Sequence, residues 1–458
     1  MRPFPTRPRS RGPLGALALA LVAVGASHAD ARTTSRPSAA PAGVAERSSS
    51  ADRCTDGRTL SHAFSSGAAW SLCVRLDAAH GLELVDLRYR APGDRERSVL
   101  ASLHLAQLLV HWHDEDALET RIGGDTPETR GLGGEAALAL TAASCAGERP
   151  SVGRVGDDGS DGDGSDGDDG SDGDGSDGDG QSASGAGGTA EWLCARERPE
   201  ILLAKYARRP ALHGARWELF AVSRQGLLTW RLGVALAEDG RIAPSLALSG
   251  RSGRTGEDAR FARSLGEAML TRATILASWR IEPAIDGGSP DRVQELDFVL
   301  DPDAGNRRPM SVRDIDGERF RRAERERFRA WRAFDPTSGA GYLLDPIDGG
   351  QSWAGPGRDW TLFELAVTRA RDCERHAARN LVPPVAAGDG ETARACGEGL
   401  ESFVDAESLG GADPVLWYAR ARTWSPRRED LPLLSSLRLG FELLPFDWTA
   451  ASPFEVRK

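Results

Sequence analysis

Histidine is the side chain best suited to bind a metal or move a proton near neutral pH, and two of the chain's eight lie two apart, at His111 and His113 in "LLVHWHDEDAL". Side chains alternate faces along a β-strand, so both imidazoles would project the same way and could share one metal ion, with Asp114 or Asp116 nearby. The competing reading is a strand that ends at a wet edge, its histidines facing water. A metal-dependent enzyme of another class, a hydrolase for example, would use this pair. Its signature would be an activity abolished by His111→Ala.

The elements that must position such a pair follow from the rest of the sequence. A chain of 458 residues with 40% apolar content can bury a sizeable core. Four arginines in residues 1–11, the apolar run "LGALALALVAVGA" (14–26) and the small residues "ASHADA" have the pattern of a secretory signal, assigned to 1–29, with a disordered linker over 30–52. The run is shorter than the roughly 20 apolar residues a membrane span needs. The expected location is therefore secreted or periplasmic, with no membrane partner.

Six cysteines and no CxxC pair, in an oxidising compartment, point to disulfides rather than a zinc site. Fifteen pairings are possible, and short closures favour Cys54 with Cys73, Cys145 with Cys194, and Cys373 with Cys396. The net charge of −11 is matched by the eleven aspartates of "DDGSDGDGSDGDDGSDGDGSDGD" (157–179). This stretch, within a Gly/Ser/Asp-rich insertion over 150–190, cannot bury apolar surface and reads as a solvated insertion at a loop tip. Weak calcium binding is its alternative reading, although it lacks the glutamate that closes an EF-hand loop.

Outside the insertion the pattern is mainly β. Strand-like runs occur at 82–90, 216–223, 227–236, 274–285 and 439–448, and two packed antiparallel sheets follow, a large β-sandwich over 53–458. Helical spacing of Phe261, Ala262, Leu265 and Met269 predicts a helix over 257–270, and residues 318–334 read as an amphipathic helix running into a strand. The arginines of that second stretch, in a net-acidic exported chain, do not point to nucleic acid.

"DPVLWYARARTWSPRREDLPLLSSLRLGFELLPFDW" (413–448) resembles the closing segment of the copper amine oxidases, and the likeness extends upstream through "FRAWRAFDPTSGAGYLLDP" (328–346), "WRIEPAIDGG" (279–288), "EDGRIAPSLALSGR" (238–251) and residues 81–110. It corresponds to that family's catalytic β-sandwich domain. The resemblance implies oxidation of primary amines to aldehydes, using copper on three histidines, a topaquinone made from a tyrosine of the chain, and an aspartate base. It also implies a homodimer, and it supports the Cys145–Cys194 pair, whose flanks "SCAGE" and "WLCARE" look like joined family segments.

Carried over position by position, the resemblance puts Leu228 where the quinone tyrosine should stand, Ala273 and Ile275 at the paired histidines, and Trp424 at the third. The base falls at Thr126 in "DTPETRGLG", leaving Asp125 beside it as the catalytic candidate. His111 and His113 occupy family positions that are not ligands. Counting supports this in any register, because only His213 and His376 follow Tyr206 and three histidines are needed. Arg280, Tyr342 and the Asp286-Gly287-Gly288 turn match the family but read as sheet framework. The expectation is a catalytically degenerate homologue with a binding or structural role, no cofactor and an unidentified ligand; a primary-amine oxidase with copper and topaquinone is the alternative.

Overall fold

The computed structural model describes residues 54, 57–112, 119–122, 131–140, 145, 192–204, 212–225, 228–251, 263–265, 268–270, 272–346 except 304 and 306, 359–378, 399–425, 427–430, 433–450 and 454. They fall within one unit spanning 49–458. In chain order the strands are β1 (Arg58–Ala63), β2 (Ala69–Asp77), β3 (Gly81–Arg90), β4 (Glu96–Trp112), β5 (Glu119–Ile122), β6 (Leu193–Ala204), β7 (Leu212–Gln225), β8 (Leu228–Ala237), β9 (Ile242–Arg251), β10 (Arg263–Leu265) and β11 (Ala268–Leu270). They continue with β12 (Ala273–Pro283), β13 (Arg292–Phe298), β14 (Met310–Asp314), β15 (Arg319–Arg321), β16 (Ala330–Phe334), β17 (Gly341–Leu344), β18 (Leu365–Arg369), β19 (Pro414–Trp424), β20 (Leu433–Gly440) and β21 (Leu443–Phe446).

Two antiparallel sheets account for nearly all of them. The first runs β1-β2-β3-β4-β12-β19-β18-β15 with β5 on β4, and the second β14-β13-β16-β17-β21-β9-β8-β7-β6 with β20 on β9. Alternation decides what each strand offers the interior. On β12, Ala273, Ile275, Ala277, Trp279 and Ile281 all enter one large apolar cluster, joined by Leu103, Leu105, Leu108, Leu416, Tyr418, Trp230, Leu232 and Trp331 from both sheets. The neighbouring strand β4 keeps step only through bulges. Ser278 pairs with Gln107 but Trp279 with Leu105, so Ala106 is an extra residue that switches which side chains face inward.

The outer face of the first sheet is covered too. Leu276, Ala366, Val415, Trp417 and Ala421 pack under Trp360, Ala377, Ala378 and a four-residue helix (Leu400–Phe403). The central strands β12, β18 and most of β19 are therefore buried on both faces, and polar residues on that outer side are buried with them.

Four of the five strand-like runs correspond to single strands, β3, β7, β8 and β12, while 439–448 is divided between the end of β20 and β21. Both helix expectations are corrected. Residues 263–265 and 268–270 form a two-stranded hairpin; a glycine at 266 already costs a helix about 1 kcal/mol. Residues 318–334 hold β15, a single 3-10 turn at Arg325–Arg327, and β16. The turn stops at Phe328 in left-handed backbone (φ 48°), and the arginines are drawn off to carboxylates of β13. Arg329 pairs with Asp297 at 2.8 Å and Arg321 with Glu295 at 3.2 Å.

The framework reading of the matched residues agrees with the geometry. The Tyr342 hydroxyl, buried, donates to the Gly240 carbonyl at 3.1 Å. Asp286 turns the chain at φ 55° and is ion-paired to Arg97. Arg280 donates to Glu282 at 2.7 Å and to Ser102 at 3.0 Å.

Candidate functional site

Ala273 begins β12 and pairs with Trp424 on β19 and Trp112 on β4; Ile275, two residues on, points the same way. Both are 1% exposed. Leu228 begins β8 in the opposite sheet, paired with Gln225 and Gly250, and packs against the same cluster, as does Trp424. The one polar atom among these four side chains, the Trp424 indole N–H, faces Asp430 Oδ2 at 3.3 Å. An indole nitrogen donates only and the other three side chains are hydrocarbon, so this set offers copper no lone pair and offers no phenol for a quinone. The residues do not fit either group.

The remaining sequence candidates are only partly placed. His111 is the penultimate residue of β4, paired with Thr274 of β12 and Glu119 of β5, which puts it between two strands. His113, Asp114, Asp116, Asp125, Thr126 and Tyr206 lie outside the described residues, as do the acidic run 157–179 and Cys396. The loop leading away from Asp125 is fixed at its end. Leu132 enters the core, and Cβ atoms on Gly131 or Gly133 would sit 1.8 and 2.0 Å from the carbonyl oxygens of Ala78 and Asp77. Cys54–Cys73 and Cys145–Cys194 are bonded as expected, and Cys373 is also in a disulfide.

The densest polar cluster lies elsewhere, on the outer face of the first sheet. His80 stacks between His104 and His376, with ring centroids 4.3 and 4.5 Å apart, and all three are at most 3% exposed. His80 Nδ1 lies 3.0 Å from the Leu105 carbonyl, so that nitrogen carries the proton. His104 Nδ1 has no hydrogen-bond partner and faces Glu83 Oε1 at 3.7 Å. Burial, and for His80 the neighbouring His376, pushes the His80 ring down to about 3. Burial and the His80 ring likewise hold His104 well below the usual imidazole range. Burial has the opposite effect on Glu374, pushing it up to about 7 despite Arg371. Arg375 closes the cluster against Asp77 and Glu83, both at 3.3 Å.

The His80 ring is stacked on His376 and tilted against His104, and the three do not form a metal-ligand group. Among the described residues the group whose ligand atoms lie within 4.8 Å of one another is Glu318, Asp405 and Glu407. Those carboxylates are already engaged: Glu318 accepts the Arg369 and Asp405 backbone N–H groups, and Glu407 pairs with Arg369 and Arg371. Sequence reasoning missed the histidine cluster because its members come from a turn, a strand and a cover segment with no shared spacing. The one local signal was His104 and Gln107 within a run of leucines, and the intervening bulge disguised their common face.

A further buried acid, Asp291, lines a cavity of about 340 Å³ with Asp314 and Asp316. Its Oδ2 accepts the Ile285 N–H at 2.9 Å and its Oδ1 has no partner. Burial pushes this carboxyl up to about 7, helped by Asp413, Asp335 and Asp286.

The sequence profile of the copper amine oxidase enzyme domain matches residues 276–455. This stretch, well under half of the chain, is similar to that enzyme domain. The match begins one residue after Ile275, so it spans Trp424 but not Leu228, Ala273 or Ile275. Copper amine oxidase structures share the fold over most of the chain. A copper-containing benzylamine oxidase from Hansenula polymorpha is similar at 16% identity and TM-score 0.56, over 84% of this chain and 60% of that one. An Aspergillus nidulans amine oxidase gives 16% and 0.58 over 85% and 52%, and the Pichia pastoris lysyl oxidase 15% and 0.57 over 84% and 52%. The chain thus spans between half and two thirds of the length of these copper amine oxidases.

Proposed function

We propose that the protein is an exported copper amine oxidase homologue without the family's redox chemistry, acting as a binding or structural unit. The observation that carries this reading is the apolar set Leu228, Ala273, Ile275 and Trp424, packed on one hydrophobic cluster where the resemblance calls for a tyrosine and three histidines. Export rests on the leader-like residues 1–29 and is in keeping with the disulfides. Among the described residues no helix is long and apolar enough to cross a membrane.

The structural neighbours are named for benzylamine, amine and lysyl oxidation. Retained activity of that kind would release peroxide from a primary amine. Protein expressed aerobically with copper should bind substoichiometric copper, give no coloured adduct with phenylhydrazine and release no peroxide from benzylamine. A stoichiometric adduct would overturn the assignment of Leu228. A homodimer, expected from the family resemblance, should appear at twice the chain mass by light scattering at micromolar concentration; the mass of one chain would remove it.

A further inference from the structure

The outer face of the second sheet is built around one carboxylate and an excess of guanidinium groups. Glu218 on β7 lies 2.9 Å from Arg196 and 3.4 Å from Arg198 on β6, 2.9 Å from Arg216 on its own strand, and 3.6 Å from Arg231 on β8. Two strands further on, Arg438 of β20 is exposed on the same side, since its neighbours Leu437 and Leu439 point into the core. Among the described residues, four positive charges thus surround one negative charge, and the fifth, Arg438, lies in register with Arg231 across Ala247. Phe220 lies within their span, with Arg231 3.9 Å and Arg196 5.2 Å from its ring centre. Mutual repulsion is felt there: burial, with Arg196, Arg438 and Arg198 nearby, pulls Arg231 down to about 10. Such a face favours a polyanion, because each added carboxylate relieves repulsion as well as forming a pair.

The sequence supplies one at a fixed address. The eleven aspartates of 157–179 lie between Cys145 and Cys194, whose disulfide brings both ends of the insertion to the same place, Cα atoms 5.9 Å apart. That place borders the arginine face. Cys194 is two residues before Arg196 on β6, Arg196 donates to the Cys145 carbonyl at 3.1 Å, and both cysteines pack on Phe220. Eleven residues separate Cys145 from Asp157 and fourteen separate Asp179 from Cys194, a reach of roughly 40 to 50 Å at about 3.4 Å per step. The face spans four strand spacings from β6 to β20, only about 19 Å at about 4.8 Å each. A tether of this kind sets a local concentration in the millimolar range, enough to fill a modest electrostatic site.

We propose that the arginine face Arg196-Arg198-Arg216-Arg231-Arg438 is an anion-binding surface whose occupant is the chain's own aspartate-rich segment, 157–179. This reading stands independently of whether any oxidase chemistry survives.

The test compares the intact chain with one lacking residues 157–179, each titrated with a synthetic peptide of that segment at low ionic strength. The shortened chain should bind the peptide at least tenfold more tightly than the intact chain, and raising the salt from about 0.05 to 0.5 M should weaken it by a further tenfold or more. Arg198→Ser, Arg216→Ser and Arg438→Ser together, placed in the shortened chain, should abolish binding. An intact chain with the eleven aspartates replaced by asparagine should bind like the shortened one, which keeps the test informative if the arginine variant fails to fold. Equal binding by intact and shortened chains, no binding by the shortened chain, or undiminished binding by a folded arginine variant would each overturn the proposal.

Discussion

Ile275→His lowers the global stability of this protein by roughly 3 to 5 kcal/mol, and added copper does not restore it. The substitution recreates one histidine that the family resemblance calls for, in the surroundings this chain supplies. Ile275 is 1% exposed and pairs between Val110 and Arg422, with its side chain in the main apolar cluster. Removing a buried branched hydrocarbon costs about 2 kcal/mol or more, and a buried imidazole without a partner adds about 1 to 3. Copper could repay this only through further lone pairs, and Ala273, Leu228 and the Trp424 indole have none to give. Urea denaturation with and without copper checks the claim. A variant that unfolds like wild type, or one whose midpoint climbs on adding copper, would mean an open, wettable pocket behind β12.

The sandwich was legible because its strands alternate cleanly. Residues 273–281 place every odd side chain in the core, as do 217–221, while 228–236 place the even ones there. Local pattern failed where tertiary demands override spacing. Within the apparent helical period at 261–269, residues 263–265 pair with 268–270 as a hairpin. The arginine-rich stretch 318–334 is extended because Glu295 and Asp297 on β13 take its guanidinium groups. The apolar residues at the four positions that the family resemblance singles out could be seen in the sequence, since residue type at a position is a local fact. His80, His104 and His376 could not, because β-pairing, a bulge and a disulfide-linked cover segment bring them together. The arginine face has the same origin: its residues sit on four strands, and only the register brings them to one side of the sheet.

Asp291→Asn stabilises the protein, and the gain grows with pH between about 4 and 7, by about 1.4 kcal/mol per pH unit at most. In the folded protein this carboxyl is pushed up to about 7, against 3.8 for an ordinary aspartate. Between those values the folded state holds a proton that the unfolded chain has released. The stability it contributes is therefore complete below about 3.8 and is lost as pH rises towards 7. Asparagine keeps the neutral form at every pH; its oxygen can still accept the Ile285 N–H, and its amide faces the acidic groups that disfavour a carboxylate there. Glu374, also raised to about 7, acts in the same direction, whereas the buried neutral rings of His80 and His104 act in the opposite one. Their unfolded counterparts take up protons near 6.5, so their contribution is complete above that value and is lost as pH falls. Carboxyls and imidazoles thus oppose each other between roughly pH 4.5 and 6.5, and the difference between variant and parent isolates Asp291. The variant's thermal midpoint minus the parent's should therefore grow with pH across the window. Parallel profiles would show that Asp291 is already ionised in the folded protein, and would break the link between its buried, half-partnered carboxyl and the pH response.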